Sequence, residues 1–170
     1  MLTPRSLLTT LPLLALLGAA PAAHAMRPVG LGAAVGVALP DGPGNLKIDP
    51  ALSWGFFTDI PLVSTFHITP STTLYHLDSA NGAVGATDLS LSFKFIVPLG
   101  PVEPFIGLTG GVTSTNKYQP HFGGLVGLSV NILSNIDIYA SLNYRLIVSD
   151  TGNTSAWHVF AGPLFRFSGA

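Results

Sequence analysis

The chain has 170 residues, a formal net charge of −1, no cysteine and only 9% charged residues, against about 25% in typical soluble domains. This composition leaves no disulfide framework and no basic patch for nucleic acid. The sequence also carries no phosphate-binding or dinucleotide-binding loop and no zinc-type histidine spacing, so neither a cofactor nor a metal is predicted.

The first 25 residues have the features of a secretory signal peptide. Arg5 supplies a positive start, an apolar stretch follows over Leu7–Leu17, and small residues end at Ala23-His24-Ala25. This order predicts cleavage after Ala25, leaving residues 26–170 as one mature domain. An uncleaved membrane anchor is the alternative, although the stretch is short and contains Pro12.

From Val29 to Phe167, apolar side chains alternate with small or polar ones. Successive side chains of a strand point to opposite faces, so the alternation indicates strands with one apolar face. Pro70 predicts a bulge or an early end within its strand. We predict eight strands in chain order, at Val29–Leu39, Lys47–Thr58, Leu62–Leu77, Ala86–Val97, Val102–Thr113, His121–Ile132, Ile136–Val148 and Ala156–Phe167.

The predicted connections alternate in length. Tight turns are expected at Asp59-Ile60-Pro61, Pro98–Pro101 and Leu133–Asn135, and somewhat longer loops at Pro40–Leu46, Asp78–Ala83, Ser114–Pro120 and Ser149–Ser155. Outer-membrane barrels have short periplasmic turns and longer outer loops. The chain is therefore predicted to be all-β, an eight-stranded antiparallel up-and-down transmembrane β-barrel with short loops and both termini on the periplasmic side.

A soluble β-sandwich or lipocalin-like barrel would show the same period, and the charge content separates the two. Soluble surfaces carry ~25–35% charged residues, far more than this chain provides. The apolar face is therefore expected to contact lipid, in the bacterial outer membrane. Aromatic residues of outward parity are expected near the two interfaces: Trp54, Phe56, Tyr144, Trp157, Phe165 and Phe167.

The opposite parity holds the charges, since inward positions include Asp49, Asp88, Lys94, Glu103, Asp137, Arg145 and Arg166. Pairing of the last two strands predicts that Asp137 faces Arg166 and that Arg145 faces His158. Lys94 and Glu103 are expected to meet across the Pro98–Pro101 turn. These pairs are predicted to fill a narrow polar interior. Inward glycines suit such crowding: Gly30, Gly32, Gly36, Gly107, Gly123, Gly127 and Gly162.

Pro101–Gly111 contains the strand start P-[YF]-[IV]-G-x-x-G, and Gly123–Val130 is followed, after a turn, by Ile138–Arg145. The first segment resembles a strand start of the small OmpA-type and OmpW-type outer-membrane barrels, and the other two resemble their sixth and seventh strands. The last strand, with Phe165 and Phe167, resembles the signal recognised by the barrel assembly machinery, although Ser168-Gly169-Ala170 follow it. The resemblance implies the barrel fold and this assembly partner.

Function is predicted by elimination. The leading expectation is a non-enzymatic, monomeric barrel that contributes to envelope structure or surface contact. The alternative is an OmpW-type conduit for small hydrophobic molecules. A lipid-modifying enzyme of the lipid A deacylase type is the third, but His67-Ile68-Thr69 and His76-Leu77-Asp78-Ser79 do not match the His-x-Ser motif of those enzymes. Among the other histidines, His121 and His158 have inward parity and are interpreted as interior polar groups.

Overall fold

The computed structural model describes residues 27–41, 50–79, 82–115, 117–149 and 152–167. Each strand pairs antiparallel with the next, and β8 pairs with β1, which closes the barrel. The predicted fold class is therefore confirmed. No helix within the described ranges is long and apolar enough to span a membrane. The strands are β1 Val29–Asp41, β2 Ala51–Val63, β3 Phe66–Ser79, β4 Gly82–Ile96, β5 Val102–Ser114, β6 Tyr118–Leu133, β7 Ile136–Ile147 and β8 Thr154–Phe167.

The two faces of the wall have the predicted polarity. On β4, Leu91 and Phe93 are exposed on the outside, whereas Ser92 and Lys94 are buried inside. The same alternation carries large exposed apolar side chains around all eight strands. Of the seven charges expected inside, Asp49 lies outside the described residues, and the other six are at most 5% exposed.

The second strand differs from the prediction. Asp59, Ile60 and Pro61 were expected to form a turn, but β2 continues through them to Val63. A register shift between Pro61 and Val63 precedes the actual turn at residues 64–65. Asp59 can remain in the strand because its carboxylate is fully engaged inside the barrel, as described below.

Pro70 does not interrupt its strand, so the predicted bulge or early end there is wrong. The β3–β4 register is constant from Phe66 to Ser79. Proline lacks an N–H group for the ladder. On the side of β3 that faces β2, Phe57 pairs with Ser71 before the proline and Ile60 pairs with Ile68 after it, and both pairs belong to the same register. The proline is accommodated without a change of alignment.

The two ends of the barrel are named here by their connections. Residues 64–65, 97–101 and 134–135 connect strands at the turn end, where the chain also enters β1. Residues 42–50, 80–81, 115–117 and 148–153 connect strands at the loop end. Two of these loop-end connections are as short as the turns, because β3, β4, β5 and β6 extend further than predicted.

The interior is crowded enough to require glycine at particular places. A Cβ atom at Gly32 would lie 2.2 Å from Cζ of Phe57, whose ring covers this position. A Cβ atom at Gly127 would lie 2.4 Å from Cζ of Phe105. In both cases a large ring is matched to the missing side chain of its paired residue on the neighbouring strand.

Candidate functional site

The barrel interior at the turn end is organised around Asp59. Its Oδ1 lies 2.5 Å from Lys94 Nζ and accepts a hydrogen bond of 3.1 Å from Thr69 Oγ1. Its Oδ2 lies 2.6 Å from Arg166 Nη1 and 2.8 Å from His67 Nδ1. Asp59 is 1% exposed. Desolvating a carboxylate to this degree is costly, and these four donors offset the cost.

Arg166 extends the cluster to a second carboxylate. Its Nε lies 2.9 Å from Asp137 Oδ2. Asp137 also accepts hydrogen bonds from Asn131 Nδ2 at 2.8 Å and from Ser129 Oγ at 3.3 Å. Arg166 therefore bridges two buried acids that stand on different strands, β2 and β7.

Arg27, which precedes β1, completes this cluster. Its Nε lies 2.7 Å from Glu103 Oε1, and its Nη1 lies 3.3 Å from Asp137 Oδ2. We call the resulting set the turn-end network; it contains three basic residues, three acidic residues and one histidine: Arg27, Lys94, Arg166, Asp59, Glu103, Asp137 and His67. The three basic and three acidic side chains of the network are equal in number.

A second polar cluster lies toward the loop end. Arg145 Nη1 forms an ion pair with Asp88, and Arg145 Nη2 donates a hydrogen bond of 3.3 Å to Thr73 Oγ1. The Tyr75 hydroxyl donates to Asp88 Oδ1 at 3.2 Å. We call these four residues the loop-end network. It contains one acidic and one basic residue.

An apolar layer separates the two networks. Its members share inward parity and burial: Phe57, Phe105, Leu125, Tyr139, Phe160 and Leu164, with Ala34 and Ile96. On β7, Tyr139 lies between Asp137 and Arg145. The Tyr139 ring is tilted against that of Phe57, with centroids 4.6 Å apart, and stacks on that of Phe105, with centroids 5.4 Å apart.

This layer adds an apolar part to the polar interior that was expected. In the middle of the barrel the rings lie beside buried polar side chains, where Ser92 donates a hydrogen bond to Thr109 and Asn143 donates one to Ser141.

Lys94 joins the polar and apolar parts, since its Nζ lies 5.1 Å from the Phe105 ring centroid and 5.5 Å from that of Tyr139, within cation–π range. A cavity of about 40 Å³ lies beside the layer, and its lining includes Lys94 of the turn-end network, Arg145 of the loop-end network and Phe160 of the layer. It has room for a small number of water molecules at most.

Of the ion pairs predicted from the sequence, Asp137–Arg166 is present in the structure and Lys94–Glu103 is not. Arg166 and Asp137 do contact each other, but diagonally, because Asp137 stands opposite Leu164. The Lys94–Glu103 pairing is wrong: Lys94 stands opposite Gly107 and binds Asp59, while Glu103 stands opposite Ser129 and binds Arg27. The register differs from the prediction because the turn is centred on residues 100 and 101, between the paired residues Leu99 and Val102. Gly100 has the positive φ, +72°, that this turn requires.

The Arg145–His158 pairing is also wrong. The β7–β8 register is shifted by two residues from the predicted one, so that Asn143 stands opposite His158 and Arg145 opposite Ala156. His158 is fully buried, with its ring centroid 5.1 Å from that of Tyr75 and 5.8 Å from that of Phe160. Neither ring nitrogen has a hydrogen-bond partner within the described ranges. His158 therefore contributes mainly packing.

Two members of the turn-end network were missed in the sequence. Asp59 was assigned to a turn because Asp-Ile-Pro is typical of turns. The alternation of β2 in fact continues past Asp59, since Phe57, Asp59 and Pro61 are buried and Leu62 is exposed. This continued alternation is the signal that places Asp59 inside the barrel. Arg27 lies before the first strand, where no periodicity applies.

One contact has the geometry expected of a nucleophile and a base. Ser90 Oγ lies 3.0 Å from His121 Nε2, and Thr113 Oγ1 lies 3.0 Å from His121 Nδ1. In serine hydrolases the base is usually oriented by a carboxylate, and here a hydroxyl takes that place. All three side chains are buried inside the wall. No group of three potential metal ligands is found among the described residues.

No family model matches the sequence. A comparison with curated proteins likewise finds no match.

Solved structures, in contrast, share the fold. Neisserial surface protein A aligns with 85% of this chain and 100% of its own length, at a TM-score of 0.71 and 16% identity. OprG, an outer membrane protein of Pseudomonas aeruginosa, aligns with 86% of this chain and 98% of its own, at a TM-score of 0.58 and 9% identity. Ail, the attachment invasion locus protein of Yersinia pestis, aligns with 82% of this chain and 100% of its own, at a TM-score of 0.53 and 15% identity. The chain therefore has the eight-stranded barrel of small outer-membrane proteins.

Proposed function

We propose that this chain is a non-enzymatic structural barrel of the bacterial outer membrane, with a closed interior and a role in envelope structure or surface contact. The observation that carries the proposal is the apolar layer between two polar networks, each with equal numbers of acidic and basic side chains. A transport pore needs a continuous wet path, whereas here the aromatic and aliphatic layer leaves only a cavity of about 40 Å³ in the middle of a narrow barrel.

The outer surface supports the membrane location. Large apolar side chains are exposed on every strand, including Leu31, Phe56, Phe93 and Leu108. In water such a surface would be a severe aggregation liability, whereas in a bilayer it contacts hydrocarbon. A closed barrel also leaves no unpaired strand edge in the lipid.

The proposal includes partners and an orientation. Outer-membrane lipid surrounds a monomeric barrel, with the turn end and both termini on the periplasmic side. Phe165 and Phe167 lie on the outer face at the turn end of β8, both exposed, and would be available to the barrel assembly machinery. No nucleic acid is expected to bind.

Fractionation of cells tests the location. The mature chain should be found in the outer membrane and should migrate faster on gels before heating than after it, as folded barrels do. A folded, freely soluble monomer in a periplasmic extract would contradict the proposal.

A deletion strain tests the envelope role. Loss of the protein should increase sensitivity to detergents, and complementation with the wild type should restore resistance. Complementation with Leu91→Arg, which carries a charge on the lipid face, should fail. A phenotype limited to uptake of one hydrophobic compound would favour the alternative below.

The alternative is a conduit for small hydrophobic molecules, and one feature favours it. A hollow of about 560 Å³ lies on the outer surface around Pro70, bounded by Thr58, Thr72 and Leu89. The proline provides no N–H group to the wall at this point. Vesicle uptake of a small hydrophobic dye, compared between the wild type and Pro70→Val, would distinguish the two functions, because only a conduit would respond to this change.

A further inference from the structure

The cavity of about 40 Å³ beside the apolar layer has a partly polar lining. Polar side chains reach it from β3, β4 and β7, and they include Thr73, Asn143 and Arg145. Rings of the layer also line it, among them those of Phe57 and Phe160. Cavities that stay dry in proteins are apolar, whereas buried water occupies sites that are polar and large enough to hold it. The mixed lining therefore has the chemistry of a site for a small polar ligand.

Gly55 on β2 keeps this space open. It is buried, faces inward and borders the cavity. A Cβ atom added there would come no closer than 3.6 Å to any neighbouring atom, the nearest being Cε1 of Phe160. Gly36 on the neighbouring strand also faces inward, but its Cβ atom would lie 1.9 Å from the carbonyl oxygen of Val159. Crowding therefore requires glycine at Gly36 but not at Gly55, where the interior has room for a further group.

Arg145 brings an unused hydrogen-bond donor to the cavity. Its Nη1 pairs with Asp88 and its Nη2 donates to Thr73, but its Nε has no hydrogen-bond partner within the part of the chain that the structure describes. Arg145 is only 4% exposed. A cationic N–H group that is buried without an acceptor is unfavourable. A ligand in the cavity that accepts a hydrogen bond would remove this cost.

The second cationic group at the cavity is Lys94, which belongs to the turn-end network. Its Nζ lies 2.5 Å from Asp59 Oδ1. An ammonium group has three N–H donors, so Lys94 can bind Asp59 and also donate into the cavity. The hydroxyl of Ser71 and the amide oxygen of Asn143 offer acceptors on the same lining. The ligand therefore meets donors and acceptors together.

These groups favour water over an anion. An anion would accept hydrogen bonds from both cations, but Lys94 and Arg145 are already paired with Asp59 and Asp88. The anion would therefore add an uncompensated buried charge, which is costly. It also could not donate to the hydroxyl and amide oxygens. A water molecule accepts from the cationic groups and donates to these oxygens at the same time.

We propose that the cavity is a binding site for up to about three ordered water molecules, since each water needs roughly 10–15 Å³ of cavity volume. One water accepts from Arg145 Nε, another accepts from Lys94 Nζ, and they donate to each other and to the neighbouring oxygens. The waters thereby join the loop-end network to the turn-end network past the apolar layer. This site goes beyond the proposed function and does not depend on the membrane location, because the cavity lies inside the barrel.

The arginine side chains provide the test. The sequence contains four arginines, of which Arg5 lies in the predicted signal peptide. The mature chain, folded in detergent micelles with nitrogen-labelled arginine, therefore has three Nε–H groups to observe by NMR. Arg166 is the matched control for Arg145, because it is also buried, at 5% exposure, and its Nε lies 2.9 Å from Asp137 Oδ2.

The Nε–H group of Arg145 should show magnetisation transfer to water, with the opposite signs in laboratory-frame and rotating-frame spectra that a long-lived bound water gives. The Nε–H group of Arg166 should show none. Thr73→Val removes the hydroxyl that contacts the same guanidinium, and the Arg145 signal should persist in it, which excludes relay through an exchanging hydroxyl proton. Absence of water contact at Arg145 in the folded wild type would overturn the proposal.

A substitution at Gly55 gives an independent reading. Filling a dry cavity stabilises a protein, whereas displacing bound water leaves Arg145 Nε without an acceptor. Gly124→Ala is the control for the general effect of alanine in a strand, because its Cβ atom also has its nearest neighbour at 3.6 Å. The urea midpoint of Gly55→Ala in vesicles should lie below that of Gly124→Ala, and a higher midpoint would overturn the proposal. If Gly55→Ala fails to fold by the gel-shift criterion, the wild-type NMR result decides.

Discussion

Arg166 on β8 and Asp59 on β2 form an ion pair across β1, the strand that lies between theirs, with Arg166 Nη1 2.6 Å from Asp59 Oδ2. Both stand opposite the same residue of that strand, Gly30. A Cβ atom at Gly30 would lie 3.4 Å from Cδ of Arg166 and 2.6 Å from Cδ1 of Leu164. The missing side chain thus allows the guanidinium to reach across the seam where the barrel closes.

Asp59→Ala should be strongly destabilising. The change leaves Lys94 and Arg166 buried without their shared acceptor, and removing one partner of a buried ion pair costs about 3–5 kcal/mol. The free energy of unfolding is measured by urea titration in phospholipid vesicles. Adding Lys94→Met to Asp59→Ala should recover part of the loss. An Asp59→Ala variant as stable as the wild type would contradict the role of Asp59 as the centre of the turn-end network.

The Asp137–Arg166 pair should behave as a coupled unit. Asp137→Ala and Arg166→Ala each strand a buried charge, so the double variant should lose less stability than the sum of the two single losses. The four unfolding free energies form a double-mutant cycle. Strict additivity would show that the 2.9 Å contact contributes nothing to folding.

The faces of the strands could be predicted from the sequence, but their registers could not. In β4, the alternation of Leu91 and Phe93 with Ser92 and Lys94 gives the face of every residue. A shift of two residues in the pairing between neighbouring strands leaves every side chain on the same face of the sheet. The alternation of the sequence therefore cannot distinguish the two registers. The predicted register therefore pairs Arg145 with His158, whereas in the structure Arg145 stands opposite Ala156. The register depends on the turn geometry, as at Gly100.

The composition of the interior was only partly predictable. Charged residues of inward parity stood out because the chain has so few charges. Phe57, Phe105 and Phe160 share that parity but were not distinguished, since aromatic residues occur on both faces of these strands. Only the closed barrel shows that inward rings from β2, β5 and β8 meet in one layer.

Arginine should be tolerated differently on the two faces of β4. Leu91→Arg and Phe93→Arg place a charge in lipid and should each cost about 2–4 kcal/mol near the midplane. Ser92→Arg points inward and should instead overpack the interior, at a cost of about 1–3 kcal/mol or more. The variants are compared in vesicles and in detergent. A neutral effect of Leu91→Arg in lipid would invert the assignment of faces.

Gly32 should be intolerant of even a methyl group. Its Cβ atom would lie 2.2 Å from the Phe57 ring, and overpacking of this kind costs about 1–3 kcal/mol. Gly32→Ala should therefore destabilise the barrel, and the double variant with Phe57→Leu should recover stability. Gly124→Ala on the outer face is the matched control, because its Cβ atom would make only an ordinary van der Waals contact, at 3.6 Å from Gly107 O. Equal effects of the two glycine substitutions would contradict the tight apolar layer.

The central claim is that the apolar layer closes the barrel, and planar-bilayer recording of the folded protein tests it most directly. The wild type should produce no stable unitary current. The double variant Phe57→Ala/Phe160→Ala removes two rings of the layer and should produce current steps if it remains folded by the gel-shift criterion. Reproducible unitary currents through the folded wild-type barrel would contradict the account.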